Sequence, residues 1–465
     1  MTNDMTVGNP TKLIMSFALP LIIGNIFQQF YSMADTFIVG RTIGVSALAA
    51  VGATGAIAFL IIGFIFGVTC GFSVITAQYF GAGDYDGVRR SVGTSVILSV
   101  VVTVIVTLIS VLTAYPLLKF MNTPEDIIDQ SYIYIIIIFW GIFSIVFYNL
   151  LSSIIRALGD SKTPLIFLII ASVLNIVLDF VLILFVHMGV AGAAVATVIS
   201  QFVSGVLCLF YVMKRFDILK LSKKDFAFSW DFAWEHLRVG LPMAFQFSIT
   251  AIGVMVLQAV LNKFGSVTVG AFTAASKIEE LLTQVYPAIG TTIATYAAQN
   301  YGAGKYRRIK AGVRSCMIIS FIYSIAAGIF CVFVGKYLTM LFVGNDQPLV
   351  VEQAQIYLNC IAVFLTFLGI LFIYRNVLQA IGKGTFPLLA GVSELLLRIF
   401  AALYISGFLG YVGVCLAGPI AWVGAAVLLF IAYIIISSTF PEQIDKEDNN
   451  NDYISEHNSA ERNIE

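Results

Sequence analysis

Apolar residues in this chain come in runs too long for the strands and helices of a water-soluble core. From the N-terminus they recur at about 13–39, 47–76, 91–117, 131–155, 163–186, 190–213, 240–262, 267–297, 313–341, 353–378, 385–408 and 413–437, separated by short polar connections. Hydrocarbon offers the backbone no hydrogen-bond partner, so an apolar run of roughly 20 residues or more is expected as a helix that spans a bilayer. The pattern therefore predicts twelve such helices. The second and eighth runs are long enough to tilt, bend or project beyond the bilayer.

The longest internal polar connection, KRFDILKLSKKDFAFSWDFAWEH from Lys214 to His236, follows the sixth run and divides the spans six and six. This predicts a short N-terminal segment (1–12), a first six-helix bundle (13–213), a linker (214–239), a second bundle (240–437) and a tail (438–465). The bundles also share sequence. AQYFGAGDYDGVRR at 77–90 parallels AAQNYGAGKYRRIK at 297–310, so that Gln78 and Gly81 meet Gln299 and Gly302 at an offset of 221. RALGDSKTP at 156–164 parallels QAIGKGTFP at 379–387 at offset 223, and Asp129, Gln130 and Tyr134 parallel Glu352, Gln353 and Tyr357. ALPL at 18–21 and GLPM at 240–243 open the two halves with a matched proline. Six spans per repeat preserve orientation. The expected architecture is an all-α integral membrane protein of two bundles related by an axis along the membrane normal, with a central cleft suited to alternating access.

Composition agrees. The 465 residues are 59% hydrophobic and 11% charged, with mean hydropathy +0.94, whereas a soluble domain carries about 25% charged residues. Basic and acidic residues balance at 26 each, but the segment from Pro441 to Glu465 holds eight acids and two bases and reads as a polar, disordered tail. If both termini lie in the cytoplasm, the inner connections hold fourteen bases and the outer ones four, Arg41, Lys119, Lys263 and Lys336. The positive-inside rule thus favours that topology, with a first span that is retained rather than cleaved. The linker's alternating aromatics and bases suit an anionic inner leaflet, and nucleic acid is not an expected partner.

Catalytic chemistry has little to stand on. Six scattered cysteines read as small apolar residues, and the three histidines, His187, His236 and His457, fall in a loop, the linker and the tail. There is no Walker A or HExxH pattern, and the glycine-rich loops at 81–87 and 302–308 follow membrane helices rather than strands. They read as tight turns, with a lesser expectation that they latch the halves together. No enzyme activity, cofactor or resident metal is expected.

Charges inside predicted spans are the functional candidates, since each costs a few kcal/mol unpaired at bilayer depth. They are Asp35, Asp179, Lys277, Glu279, Glu280, Arg375, Glu394 and Arg398. In ASVLNIVLDFVLILFV at 171–186, Asp179 lies roughly 10 Å from the outer end at 1.5 Å per residue, with Asn175 one turn deeper. Thr197 in the sixth span reaches a similar depth, and Asp35 lies roughly 5–10 Å below the outer end of the first span. Such a cluster can share a proton between two coupled carboxyls or hold Na+ through carboxylate, amide and hydroxyl oxygens. The alternative is a pair of structural aspartates satisfied by Asn175, Tyr31 or Thr36. Pro20, fifteen residues before Asp35, removes a helix hydrogen bond and invites a bend that could couple ion binding to closure. In the second half, Glu394 and Arg398 are spaced as an i,i+4 pair, and Lys277 can reach Glu280 while Glu279 faces elsewhere. Glu279 or Glu280 could contact a cationic substrate, and Phe247, Met255, Gln258, Gln284 and Tyr286 suit a broad apolar cavity with few polar anchors.

YSMADTFIVGRTIGVSALAAVG at 31–52, the QYFGAG loop, RALGDSKTP and NIVLD at 175–179 together resemble the bacterial multidrug and toxic compound extrusion family, over essentially residues 10–437. The resemblance implies two six-helix lobes arranged in a V in the bacterial cytoplasmic membrane. It also implies export of diverse amphipathic or cationic compounds by antiport against H+ or Na+, by a chain that works as a monomer. Position by position, the family's first-helix aspartate and bending proline correspond to Asp35 and Pro20, its fifth-helix Asn and Asp to Asn175 and Asp179, and its sixth-helix threonine to Thr197. The second half departs from the first: Leu257 aligns with Asp35, and Arg398 lies near the counterpart of Asn175, which places the coupling ion in the first lobe. A flippase or exporter of a lipid-linked or amphipathic metabolite on the same fold is the related alternative, and a receptor or scaffold without a transport cycle the distant one.

Overall fold

The computed structural model describes residues 4–343 and 347–441, and among them every regular element is a helix. The acidic tail expected at 438–465 lies almost wholly outside the described residues. In the first lobe, α1 (Pro10–Thr42), α2 (Val45–Gly81), α3 (Tyr85–Phe120), α4 (Ile128–Trp140), α5 (Ile142–Ala157), α6 (Lys162–Phe180) and α7 (Val190–Arg215) follow in order. The second contains α8 (Trp230–Leu261), α9 (Ser266–Thr283), α10 (Val285–Gly302), α11 (Tyr306–Val343), α12 (Pro348–Ala380), α13 (Thr385–Phe400), the short α14 (Ser406–Leu409) and α15 (Tyr411–Cys415), and α16 (Ala417–Ser438).

Among the described residues ten helical segments are long and apolar enough to cross a membrane, and α4 with α5, bent by 47° at Gly141, makes an eleventh if the bent pair is one span. The remaining expected span, at 267–297, is α9 and α10, broken at Gln284. It is the least apolar because α9 carries Lys277, Glu279 and Glu280, which face protein and cleft. The proline in α1 causes no break, since the helix runs on through Pro20. The linker is shorter than the sequence suggests: only 216–229 lies outside α7 and α8, because the aromatic residues from Trp230 onward already form the first turns of α8.

The sequence repeat is a repeat of backbone detail. A π-helical turn follows α6 at Val181–Phe185 and another follows α13 at Ala401–Ile405. Gly189 precedes α7 and Gly410 precedes α15 with φ of 58° and 56°, a region that only glycine adopts without strain. The outer surfaces of α3 and α11 expose Val104, Ile105, Leu108 and Leu112, and Ile318, Phe321, Ile322 and Phe333, as a lipid-facing wall requires.

The lobes meet along α2 and α8 and again where α2 ends against α10. Small residues allow this approach: a methyl group on Gly71 would come within 2.4 Å of Gly240 Cα, and one on Gly67 within 2.6 Å of Ala244 Cα. At the glycine-loop end the contact is reciprocal. Gln78 Nε2 donates to the Ala380 carbonyl (2.6 Å), and Gln299 Nε2 to the Ala157 carbonyl (2.8 Å), so each lobe's glutamine caps the last turn of a helix in the other. The segment before α1 crosses the same seam: Met5 N donates to Gln299 Oε1 (2.8 Å), and the Met5 carbonyl accepts from Asn300 Nδ2 (3.2 Å). The glycine loops, read from sequence as turns first and a latch second, are thus part of the contact between the lobes.

In the connection between the lobes, Asp225 accepts from Ser222 N (2.6 Å) and Ser222 Oγ (2.7 Å), which holds its carboxyl below the usual carboxylate range. A depressed carboxyl stabilises the fold above its unfolded value and ceases to do so as pH falls through its folded value. The protection factor of the Ser222 amide, that is, its exchange relative to the intrinsic rate at the same pH, is therefore expected to be high at neutrality and to fall at acid pH; equal protection at both would exclude the cap.

Candidate functional site

Helix α1 has two working faces. Tyr31 and Asp35, four residues apart, point into the first lobe, whereas Ser32, Met33, Thr36 and Gly40 line a cleft between the lobes. Inside the lobe, Asp35 and Asp179 come within hydrogen-bonding reach of each other. Asp179 is fully enclosed at the last turn of α6, immediately before the π-helical turn, a local geometry frequent at functional sites. The Asn175 amide, also fully enclosed, donates to Asp179 Oδ2 (3.2 Å) and accepts from Thr197 N (3.1 Å) when oriented to satisfy its neighbours. Thr197 Oγ1 in turn donates to the Ala193 carbonyl (3.1 Å). Tyr31 and Tyr134 complete the surroundings.

Two features of this cluster define its chemistry. Asp35 Oδ1 and Asp179 Oδ1 are buried without a hydrogen-bond partner in the protein. Among the described residues, no lysine or arginine acts on either carboxyl. Two carboxylates in contact in a low-dielectric interior repel strongly, so the pair is suited to a shared proton or to a small cation held by oxygen. Asp35, Asn175, Asp179 and Thr197, picked out separately in the sequence, lie together in one contiguous cluster.

The second lobe is built differently. Glu394 accepts from Arg398 Nη2 and from Arg375 Nη2, both at 2.8 Å, with all three side chains buried. The Gln246 amide, oriented with its oxygen toward Arg375, accepts from Nε (3.2 Å) and Nη1 (3.0 Å). Glu279 accepts a hydrogen bond from the Tyr357 hydroxyl and lies within electrostatic reach of Arg398. The three charges of α9 therefore divide: Glu279 turns into the lobe, while Lys277 and Glu280 pair at 2.8 Å and face the cleft.

The cleft has a volume of about 580 Å³ and is lined by Gln29, Ser32, Met33, Thr36, Phe37 and Arg41 from α1 and by Lys277, Glu280 and Leu281 from α9. Of the residues expected to line a substrate cavity, only Glu280 is on its wall. Phe247 sits between the lobes against Gly63 and Phe66. Met255 is half-buried on α8, and Gln258 is exposed and bonded to Asn262. Gln284 engages the first lobe through its backbone carbonyl, which accepts from Asn25. Tyr286 corrects the expectation: it is 1% exposed, bonded to Ser324 within the lobe core, and does not face the cleft. Sequence reasoning passed over Tyr134 and Tyr357 as site residues, although their equivalence in the repeat had singled them out.

The MatE family model matches this chain twice, at residues 20–181 and 242–404. The probable multidrug resistance protein YpnP of Bacillus subtilis (strain 168) is 30% identical over 436 residues, covering 92% of this chain and 96% of that protein. An FAD transporter of Shewanella oneidensis is 24% identical over 88% of this chain and 91% of its own. A multidrug resistance MATE family transporter of the MOP superfamily, solved in an outward-facing conformation, superposes with a TM-score of 0.89 at 25% identity, over 95% of this chain and 100% of that one. The two matched segments fall one in each lobe, the first holding Asp35, Asn175 and Asp179 and the second Glu279, Arg375, Glu394 and Arg398, and the chain belongs to the MatE family of multi-pass membrane transporters.

Proposed function

We propose that the protein is a secondary active exporter of diverse amphipathic or cationic compounds, driven by inward movement of H+ or Na+ through the first-lobe cluster of Asp35, Asn175, Asp179 and Thr197. The observation that carries this reading is the pair of enclosed Asp179 and partly enclosed Asp35, with no basic partner among the described residues, set one helix face away from the cleft. Because α1 contributes to both, ion binding on one face can bias what the other face presents, with Pro20 as the point of flexure. The fourteen bases on the inner connections support a cytoplasmic glycine-loop end in a bacterial cytoplasmic membrane. With the lobes joined there and a cleft beyond, the arrangement fits a state open to the outside. No contact with a second copy is needed to complete either cluster, which suits a monomer in the bilayer.

A second reading, export of an amphipathic metabolite, is favoured by the cleft's mixed charge: Arg41 and Lys277 against Glu280. Everted membrane vesicles given an imposed pH or sodium gradient are expected to accumulate ethidium. Accumulation of an anionic amphiphile with ethidium excluded would select the second reading.

A further inference from the structure

The two lobes hold clusters of opposite electrostatic design that share two repeat-equivalent positions. Offset 223 relates Ala157 to Ala380 and Gly159 to Gly382, whose backbones share positive φ, and the same offset relates Tyr134 to Tyr357 and Asn175 to Arg398. Each tyrosine stands beside a carboxylate, Tyr134 near Asp35 and Asp179, and Tyr357 on Glu279. At the remaining position the first lobe has a neutral amide and the second a guanidinium. Among the described residues the first-lobe cluster thus carries two carboxyls and no base, while the second carries Glu279 and Glu394 with Arg375 and Arg398.

We propose that Arg398 is a built-in counter-cation that stands in the second lobe where the first lobe takes its coupling ion. With two guanidinium groups set against Glu394 and Glu279, the second-lobe cluster needs no added metal ion to balance its carboxyls. Glu394, shared between two arginines, fixes the guanidinium in place, and Gln246 holds Arg375 from behind. A guanidinium side chain is a permanent cation in proteins, with no acceptor capacity for a metal ion. The two lobes consequently divide the work: one loads and unloads a cation, the other carries a permanent one. The division of work rests on the first-lobe coupling reading; the assignment of Arg398 as resident cation does not.

The test is the melting temperature of purified protein in detergent, in an Asp179→Asn background that removes the first lobe's own ion response. Arg398→Ala is expected to melt several degrees lower, because it leaves two carboxylates facing one arginine. Guanidinium ion, far below denaturing concentration, should restore at least half of that loss in a saturable way, whereas choline at equal ionic strength should not. Arg398→Lys should melt closer to the parent without added cation. Melting unchanged by Arg398→Ala, or a loss that guanidinium repairs no better than choline, would overturn the proposal. If Arg398→Ala yields no folded protein, Arg398→Met is compared with Arg398→Met/Glu394→Gln: a higher yield and melting temperature for the charge-balanced double variant support the proposal, and no recovery overturns it. Transport assays are not needed for either result, so failure of the export reading and failure of this one are separable.

Discussion

Asp179→Asn is expected to reduce gradient-driven export to the level of membranes lacking the protein, while the protein still inserts and folds. The substitution keeps the shape of the side chain and its contact with Asn175, so the cost in stability should be small, within about 1 kcal/mol for a rearranged hydrogen bond. What it removes is one of two carboxyls in contact with no base beside them. A single carboxyl next to an amide can still take a proton, but it no longer repels a second charge, and the difference between loaded and unloaded states shrinks. Asp35→Asn should act in the same direction. Purified variant with a normal melting profile and no accumulation in everted vesicles is the expected pair of observations. Wild-type, gradient-dependent accumulation by Asp179→Asn would remove the cluster from the coupling mechanism.

The second large effect is expected at the seam between the lobes. A methyl group on Gly81 would lie 1.9 Å from the Gln299 carbonyl oxygen, and one on Gly302 would lie 1.8 Å from that of Gln78. Both obstacles are backbone atoms of the opposite lobe, which cannot swing aside as a side chain would. Neither lobe needs to change internally to relieve the clash; the lobes need only part at this end. Gly81→Ala and Gly302→Ala should therefore disfavour the joined arrangement by about 1–3 kcal/mol, typical of overpacking, which corresponds to roughly 5- to 150-fold in a two-state equilibrium. Spin labels at the exposed positions Asp86 and Lys310, on a cysteine-free background, should report a longer distance population in either variant and a fall in transport. Distances identical to the parent would mean that the contact does not bear on opening.

These expectations depend on features that differ in how far the sequence discloses them. Asp179 is conspicuous because it interrupts an apolar run, and counting residues from the span ends is enough to bring Thr197 level with it and Asn175 one turn deeper. The six-and-six division is legible because the glycine loops are copied nearly intact at offset 221. The second lobe is less transparent. Spacing of four suggests Glu394 with Arg398, but the other half of the arrangement, Arg375, comes from a helix nineteen residues away and has no local signature. Tyr357 meets Glu279 across 78 residues, a tertiary contact that helical periodicity cannot encode. On α9, Lys277, Glu279 and Glu280 look like one charged group in sequence, yet helical rotation sends Glu279 into the lobe and its neighbours to the cleft.

Gln78 and Gln299 show the same limit from another side. Their identity across the repeat is visible, but their partners are backbone carbonyls of Ala380 and Ala157, which any residue would supply. The tyrosine pair, Tyr134 and Tyr357, was equally visible as a repeat marker. Its chemical meaning depended on the carboxylates that other helices bring to it.

The most direct measurement is export by purified protein in liposomes, with the proton and sodium gradients imposed one at a time and Asp179→Asn run in parallel. Movement of substrate against its own gradient, powered by one of the two ions and absent in the variant, is the predicted result. Substrate that only runs down its own gradient, at the same rate with either ion gradient or with none, would contradict ion-coupled export through the first lobe.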